Sequence, residues 1–142
     1  FQVIHLCGKG KLDQSLVGTE GYVQFEYIKD ELCDIFALAD IVISRAGANA
    51  ICELLALCKP NLLIPLSKNA SRGDQILNAR SFERQGFSMV LEEEETTKDS
   101  LLEAVQKLYD NRATYMDAMR NSGQHDAINT ITGLIEEVRL NK

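Results

Sequence analysis

Glu53 is the one acid in an otherwise apolar run, Ala48-Asn49-Ala50-Ile51-Cys52-Glu53-Leu54-Leu55-Ala56-Leu57-Cys58, and it lies four residues after Asn49. At helical spacing both side chains project from one face near the start of the helix. A carboxylate there can accept hydrogen bonds from two neighbouring hydroxyls, the geometry that a ribose diol offers. The helix start carries unpaired N–H groups with partial positive charge, a ready seat for phosphate. Ahead of it, Ile41-Val42-Ile43 reads as a buried strand, and the small residues around Gly47 let the backbone turn sharply. An anion seat beside a diol-binding acid points to a nucleotide or a nucleotide sugar. The plainer alternative is an acid stabilised by the helix N-terminus alone, worth ~0.3–1 kcal/mol at an exposed site.

A second cluster is Asp74, Gln75 and Asn78. Asp74 and Asn78 are one helical turn apart with Gln75 adjacent, so donors and acceptors suited to sugar hydroxyls line one edge of a helix start. Asp74 has helix capping as its alternative; Gln75 and Asn78 have no comparable capping role. Gly8-Lys9-Gly10 is a weak signal, since neither a Walker triplet nor G-x-G-x-x-G occurs. His5 sits among apolar strand residues and reads as packed or hydrogen-bonded, and His125 has no partner at catalytic spacing. No Ser-His-Asp order, zinc spacing or Asp-x-Asp pair is found, so neither a metal nor a cofactor is expected. A diphosphate would be neutralised by the helix end and by bases. Lys9, Lys11, Arg45, Lys68 and Arg72 follow or end predicted strands and would share one rim of a parallel sheet; scattered solubilising charge is the alternative.

The elements that must position these groups alternate. Strands are expected at Gln2–Cys7, Tyr22–Tyr27, Ile41–Arg45, Asn61–Leu66 and Ser88–Glu92. Helices are expected at Asp30–Ala39, Ala48–Cys58, Arg72–Gln85, Ser100–Asp110, Ala113–Asn121 and about Asp126–Leu140. This order argues for an α/β fold, a Rossmann-like parallel sheet flanked by helices. Ligands of such sheets bind beyond the carboxyl ends of the strands. Three segments should therefore converge: Gly8–Lys11, Ala46–Asn49 and Ser67–Asn78, with Ile28 and Lys29 on the same rim. Ser71 with Asp74 resembles a capping box, and Gly86 suits a left-handed helix exit. Pro60 and Pro65 flank a strand. The acidic run Glu92–Glu95 reads as a solvated loop.

The 142 residues fit one domain, with 45% hydrophobic residues to form a core. A net charge of −6 argues against a general nucleic-acid surface. No apolar run approaches the ~20 residues that span a bilayer. Cys7, Cys33, Cys52 and Cys58 lack C-x-x-C spacing and read as buried reduced thiols, which suits a cytoplasmic location. The chain lacks an initiator Met and opens inside a predicted strand, so it reads as a piece of a longer protein.

Ser44-Arg45-Ala46-Gly47-Ala48-Asn49-Ala50-Ile51-Cys52-Glu53-Leu54, Lys59-Pro60-Asn61-Leu62-Leu63-Ile64-Pro65-Leu66 and Ala70-Ser71-Arg72-Gly73-Asp74-Gln75-Ile76-Leu77-Asn78-Ala79 closely resemble the MurG family of peptidoglycan glycosyltransferases, in its Gram-positive form. His5-Leu6-Cys7-Gly8-Lys9 and Tyr27-Ile28 resemble family segments in the same order. The resemblance implies the C-terminal domain of a GT-B glycosyltransferase, spanning 1–142, that binds UDP-N-acetylglucosamine (UDP-GlcNAc). By that resemblance the Ile28 backbone meets uracil and Glu53 binds the ribose hydroxyls. Gly47, Ala48, Asn49 and Ala50 meet the diphosphate and nearby sugar, and Gln75 and Asn78 contact the sugar. Asp74 stands where some family members carry Gln.

The implied reaction is inverting transfer of GlcNAc to the C4 hydroxyl of the muramoyl sugar on lipid I, giving lipid II. It would take place at the inner face of the cell membrane, to which the full-length protein binds peripherally. The family supplies the base from an N-terminal half, so no catalytic residue is expected here. The first strand of the donor domain is also missing, which would leave Gln2–Cys7 and Tyr22–Tyr27 to dock on Ile41–Arg45 or the gap to be filled otherwise. Two other classes stay open: a non-catalytic nucleotide-sugar-binding module, and a UDP-GlcNAc epimerase, whose acid and histidine catalysts are not seen. This chain alone is expected to bind donor weakly and to be inactive in transfer; detectable movement of radiolabelled GlcNAc to a lipid I analogue overturns that.

Overall fold

The computed structural model describes residues 1–67, 70, 72–123, 132 and 136. Lys68, Ser71 and all of the helix expected over 126–140 except Thr132 and Glu136 lie outside the described residues. The elements in order are β1 (Val3–Leu6), β2 (Tyr22–Phe25), α1 (Leu32–Leu38), β3 (Val42–Ser44), α2 (Ala48–Ala56), β4 (Asn61–Leu63), α3 (Asp74–Arg84), β5 (Met89–Val90), α4 (Lys98–Asp110) and α5 (Arg112–Asn121). The expected alternation holds, with strands shorter by one to three residues at their ends. Every strand pairing is parallel. The described strands form two sheets, β1-β2 and β3-β4-β5. The chain divides into two compact units, Phe1–Ala39 and Asp40–Lys142.

In the first unit, Val3 through Leu6 align with Tyr22 through Phe25. His5 Nδ1 lies 2.7 Å from the Tyr22 hydroxyl, so this histidine is hydrogen-bonded as expected. The strand connection is held by side chains: Gln24 accepts from the Asp13 N–H at 3.0 Å and donates to its carbonyl at 2.6 Å. The Gly8–Lys11 loop is tied to the end of β2 by the Gly10 N–H, which donates to Glu26 Oε1 at 2.6 Å.

The second unit has the core. Strand β4 lies between β3 and β5 and is buried throughout, as a central parallel strand must be. On one side Leu63 packs with Ala46, Ile51 and Ala79, with Phe82 and Val90 against them. A second cluster joins Leu55, Phe87 and Met119 with Tyr115 and Ala118. Phe82 belongs to both and meets Phe87 edge-on, ring centres 5.8 Å apart. Pro60 and Pro65 flank the strand and are fully buried.

Two local expectations need correction. The thiols are free, but Cys33 and Cys52 are exposed and Cys7 and Cys58 only half-buried. On α2 the buried stripe is Ile51, Leu54 and Leu55, and a residue one place along from Ile51 is turned out of that stripe. Helix α3 begins at Asp74 rather than Arg72, and its N-cap is Gly73 at φ 87° with no side-chain cap. Asp74 is thus the first helical residue; Ser71, the other member of the expected capping box, lies outside the described residues. At the other end Gly86 has φ 75°, the expected left-handed exit. A Cβ at Gly86 meets Ala118 at an ordinary 3.8 Å, so its substitution tests the backbone alone. Gly86→Ala is expected to lower unfolding stability by about 1–2 kcal/mol, read from the shift in urea midpoint at unchanged m-value.

Candidate functional site

Helix α2 starts with an open end. Its first backbone bond runs from the Ile51 N–H to the Gly47 carbonyl at 3.1 Å, which leaves the N–H groups of Ala48, Asn49 and Ala50 without intrahelical partners. Gly47 makes no side-chain cap. Its φ of −68° and ψ of 140° are open to any residue, so the turn does not need glycine's conformational freedom. A Cβ there would meet no atom within 4 Å, so the space in front of this residue is open. The approach to the three amides is therefore unobstructed by this residue. Ala46, just behind, is fully buried against Ile51, Leu63 and Ala79, where only a small side chain fits.

Glu53 and Asn49 are both exposed, one turn apart, and neither has a side-chain partner among the described residues. The carboxylate is thus available beside the open helix end. From α3, Asn78 Nδ2 donates to the Ala46 carbonyl at 3.1 Å. Gln75 Oε1 accepts from the Leu66 N–H at 3.1 Å. Both residues therefore fix backbone, a structural role that sequence spacing did not show. The second amide atom of each, Asn78 Oδ1 and Gln75 Nε2, has no described partner. Asp74 is exposed on the first turn of α3.

The structure brings Ala46–Asn49 together with part of the 67–78 segment through that Asn78 bond. Ile28, half-buried just beyond β2, and the Gly8–Lys11 loop with its exposed lysines belong to the first unit. Of the bases expected on the rim, Arg72 is exposed and Arg45 is engaged. Arg45 donates through one guanidinium nitrogen to the Ile64 carbonyl at 3.1 Å and pairs through the other with Glu93 at 2.7 Å.

Glu93 was expected in a solvated acidic loop, and here the expectation fails. Its second oxygen accepts from the Ser67 N–H at 3.1 Å. That bond and the Arg45 guanidinium hold its carboxyl below the usual carboxylate range. Glu92 pairs with Arg80 of α3. Both acids directly follow β5, at the carboxyl end of a parallel strand, and that position was the sequence signal for a role near the site. Among the described residues no group of three or more His, Cys, Asp or Glu could hold a metal ion, and no helix is long and apolar enough to cross a membrane.

Comparison with known proteins identifies the family. Residues 1–134 match the model of the glycosyltransferase family 28 C-terminal domain. A UDP-N-acetylglucosamine–N-acetylmuramyl-(pentapeptide) pyrophosphoryl-undecaprenol N-acetylglucosamine transferase of Lachnoclostridium phytofermentans is 66% identical over 99% of this chain, and this chain spans 39% of its length. The transferase of the same name from Geobacillus thermodenitrificans is 60% identical over 96% of this chain, which spans 38% of its length. The crystal structure of Acinetobacter baumannii MurG shares the fold, with a TM-score of 0.75 at 21% identity over 96% of this chain and 40% of that one. The resemblance to MurG transferases and the Rossmann-like α/β fold that it implied are borne out. With its open α2 terminus and the acid one turn beyond, the chain belongs to the glycosyltransferase family 28 C-terminal domain family.

Proposed function

We propose that this chain is the donor-binding half of a transferase that moves GlcNAc from UDP-GlcNAc to the C4 hydroxyl of a lipid-linked muramoyl pentapeptide, converting lipid I to lipid II in peptidoglycan synthesis. The observation that carries the reading is the start of α2, where three unpaired amides and the exposed Glu53 carboxylate lie on one helix, with Glu53 one turn after Asn49. The amides of Ala48, Asn49 and Ala50 suit a diphosphate, and Glu53 suits the ribose diol. The free amide atoms of Gln75 and Asn78, with Asp74 beside them, suit sugar hydroxyls, and the Ile28 backbone suits uracil. The names of the relatives, with donor and lipid-linked acceptor in them, support this reading.

Transfer with inversion builds negative charge on the leaving diphosphate while the anomeric carbon becomes cation-like. Fixed N–H dipoles at a helix end stabilise that charge without reorganising, and so favour the transition state over bound substrate. The acceptor hydroxyl must lose a proton, and the base is assigned to a separate acceptor domain. In the proposal that domain also binds lipid I and rests on the cytoplasmic face of the membrane, with 1–142 as the donor-binding domain.

Calorimetry on a full-length transferase carrying this chain tests the proposal. UDP-GlcNAc is expected to bind well and UDP-glucose and ADP poorly. Glu53→Ala is expected to weaken UDP-GlcNAc about tenfold or more, the scale of ~1.5–3 kcal/mol for hydrogen bonds to a charged group. Equal affinity for ADP, or an unchanged Glu53→Ala, overturns it.

A further inference from the structure

We infer that Glu93 is a positioning residue for the donor site, holding the turn before α2 and the loop after β4 in one arrangement. The inference rests on reading the α2 terminus as the nucleotide-sugar seat. Arg45 stands two residues before the N-cap of that helix, and its guanidinium is fixed on one side by the Ile64 carbonyl and on the other by Glu93. The same carboxylate takes the Ser67 N–H. The Leu66 N–H, next along, holds Gln75. Three residues further on in α3, Asn78 returns to the Ala46 carbonyl beside Arg45. The bonds thus close a ring of two backbone segments and four side chains, those of Arg45, Glu93, Gln75 and Asn78.

Glu93 is the member of that ring that comes from outside both segments. A carboxylate is required for a physical reason: each of its oxygens serves a different donor, one a guanidinium and one a backbone amide. A carboxamide has a single acceptor oxygen and would turn an NH2 donor toward the other partner. Glu93→Gln therefore breaks one of the two links as surely as it removes the charge, with nearly the same volume retained. The guanidinium link is charge-assisted and the geometry shared, so loss of either side frees the turn that sets the three amides. Because the residue acts through Arg45 and Ser67 to fix the amides that meet the leaving diphosphate, its loss should weaken transition-state stabilisation more than substrate binding and show in kcat as well as kcat/KM.

The test is steady-state kinetics on a full-length transferase carrying this chain, with wild type, Glu93→Gln, Glu93→Ala, the Arg45→Gln/Glu93→Gln double variant and its Arg45→Gln parent, and Glu53→Ala as a separate arm. Glu93→Gln and Glu93→Ala are expected to lower kcat about three- to tenfold, with kcat/KM for UDP-GlcNAc falling at least as far. The double variant is expected to be no worse than the more severe single, the non-additivity of residues in one network. If the Glu93 variants lower the thermal midpoint but leave kcat and kcat/KM unchanged while Glu53→Ala raises KM, the residue is merely structural and the inference fails with the site intact. Multiplicative effects in the double variant also overturn it. If Glu53→Ala leaves KM unchanged as well, the site reading itself has failed.

Discussion

Three backbone amides at the start of α2 cannot be paired within the helix that owns them, and the rest of the second unit is arranged around that constraint. A backbone donor buried without a partner is costly, so a helix end with no side-chain cap must face solvent or a ligand. The structure meets the requirement by anchoring the turn from behind. Ala46 is sealed into the core, its carbonyl is held by Asn78, and Gly47 leaves the front open. A larger residue at Ala46 or Ala79 would push the helix away from β4, because both lie at full burial in the cluster around Leu63.

The polar residues near this end divide into two kinds. Glu53 and Asn49 project freely from α2 and make no described contact, as groups kept for a ligand would. Gln75, Asn78, Arg45 and Glu93 are each committed to backbone or to one another. Rigid support of this kind matters for a seat built from dipoles, since their value depends on being aimed before charge develops. Gln75 and Asn78 belong to both kinds, one amide atom fixing backbone and the other left over.

The two sheets differ in how their apolar residues are covered. In β4 the leucines are buried on both faces. In β1 and β2 the aligned Ile4 and Val23, and Leu6 and Phe25, stay exposed in this chain. These four residues alternate with His5 and Gln24, the period-two pattern of a strand, which is why the strands were easy to read from sequence.

Sequence alone determined the order of elements, the parallel pairing and the position of the α2 terminus. Those depend on local periodicity, β-branched runs and turn residues that act over a few positions. It also singled out Glu53 as a candidate, because its spacing from Asn49 and lone charge on an apolar helix are local facts. Only the tertiary structure decided that Glu93 is a tie rather than a solvated acid, that Gln75 and Asn78 fix backbone, and that the strands part into two sheets. Each of these depends on partners 9 to 48 positions away, the last separation being that of Arg45 and Glu93 (93 − 45 = 48). Hydrogen bonds and ion pairs over such distances carry no periodic signature, because their geometry is set by how the elements pack.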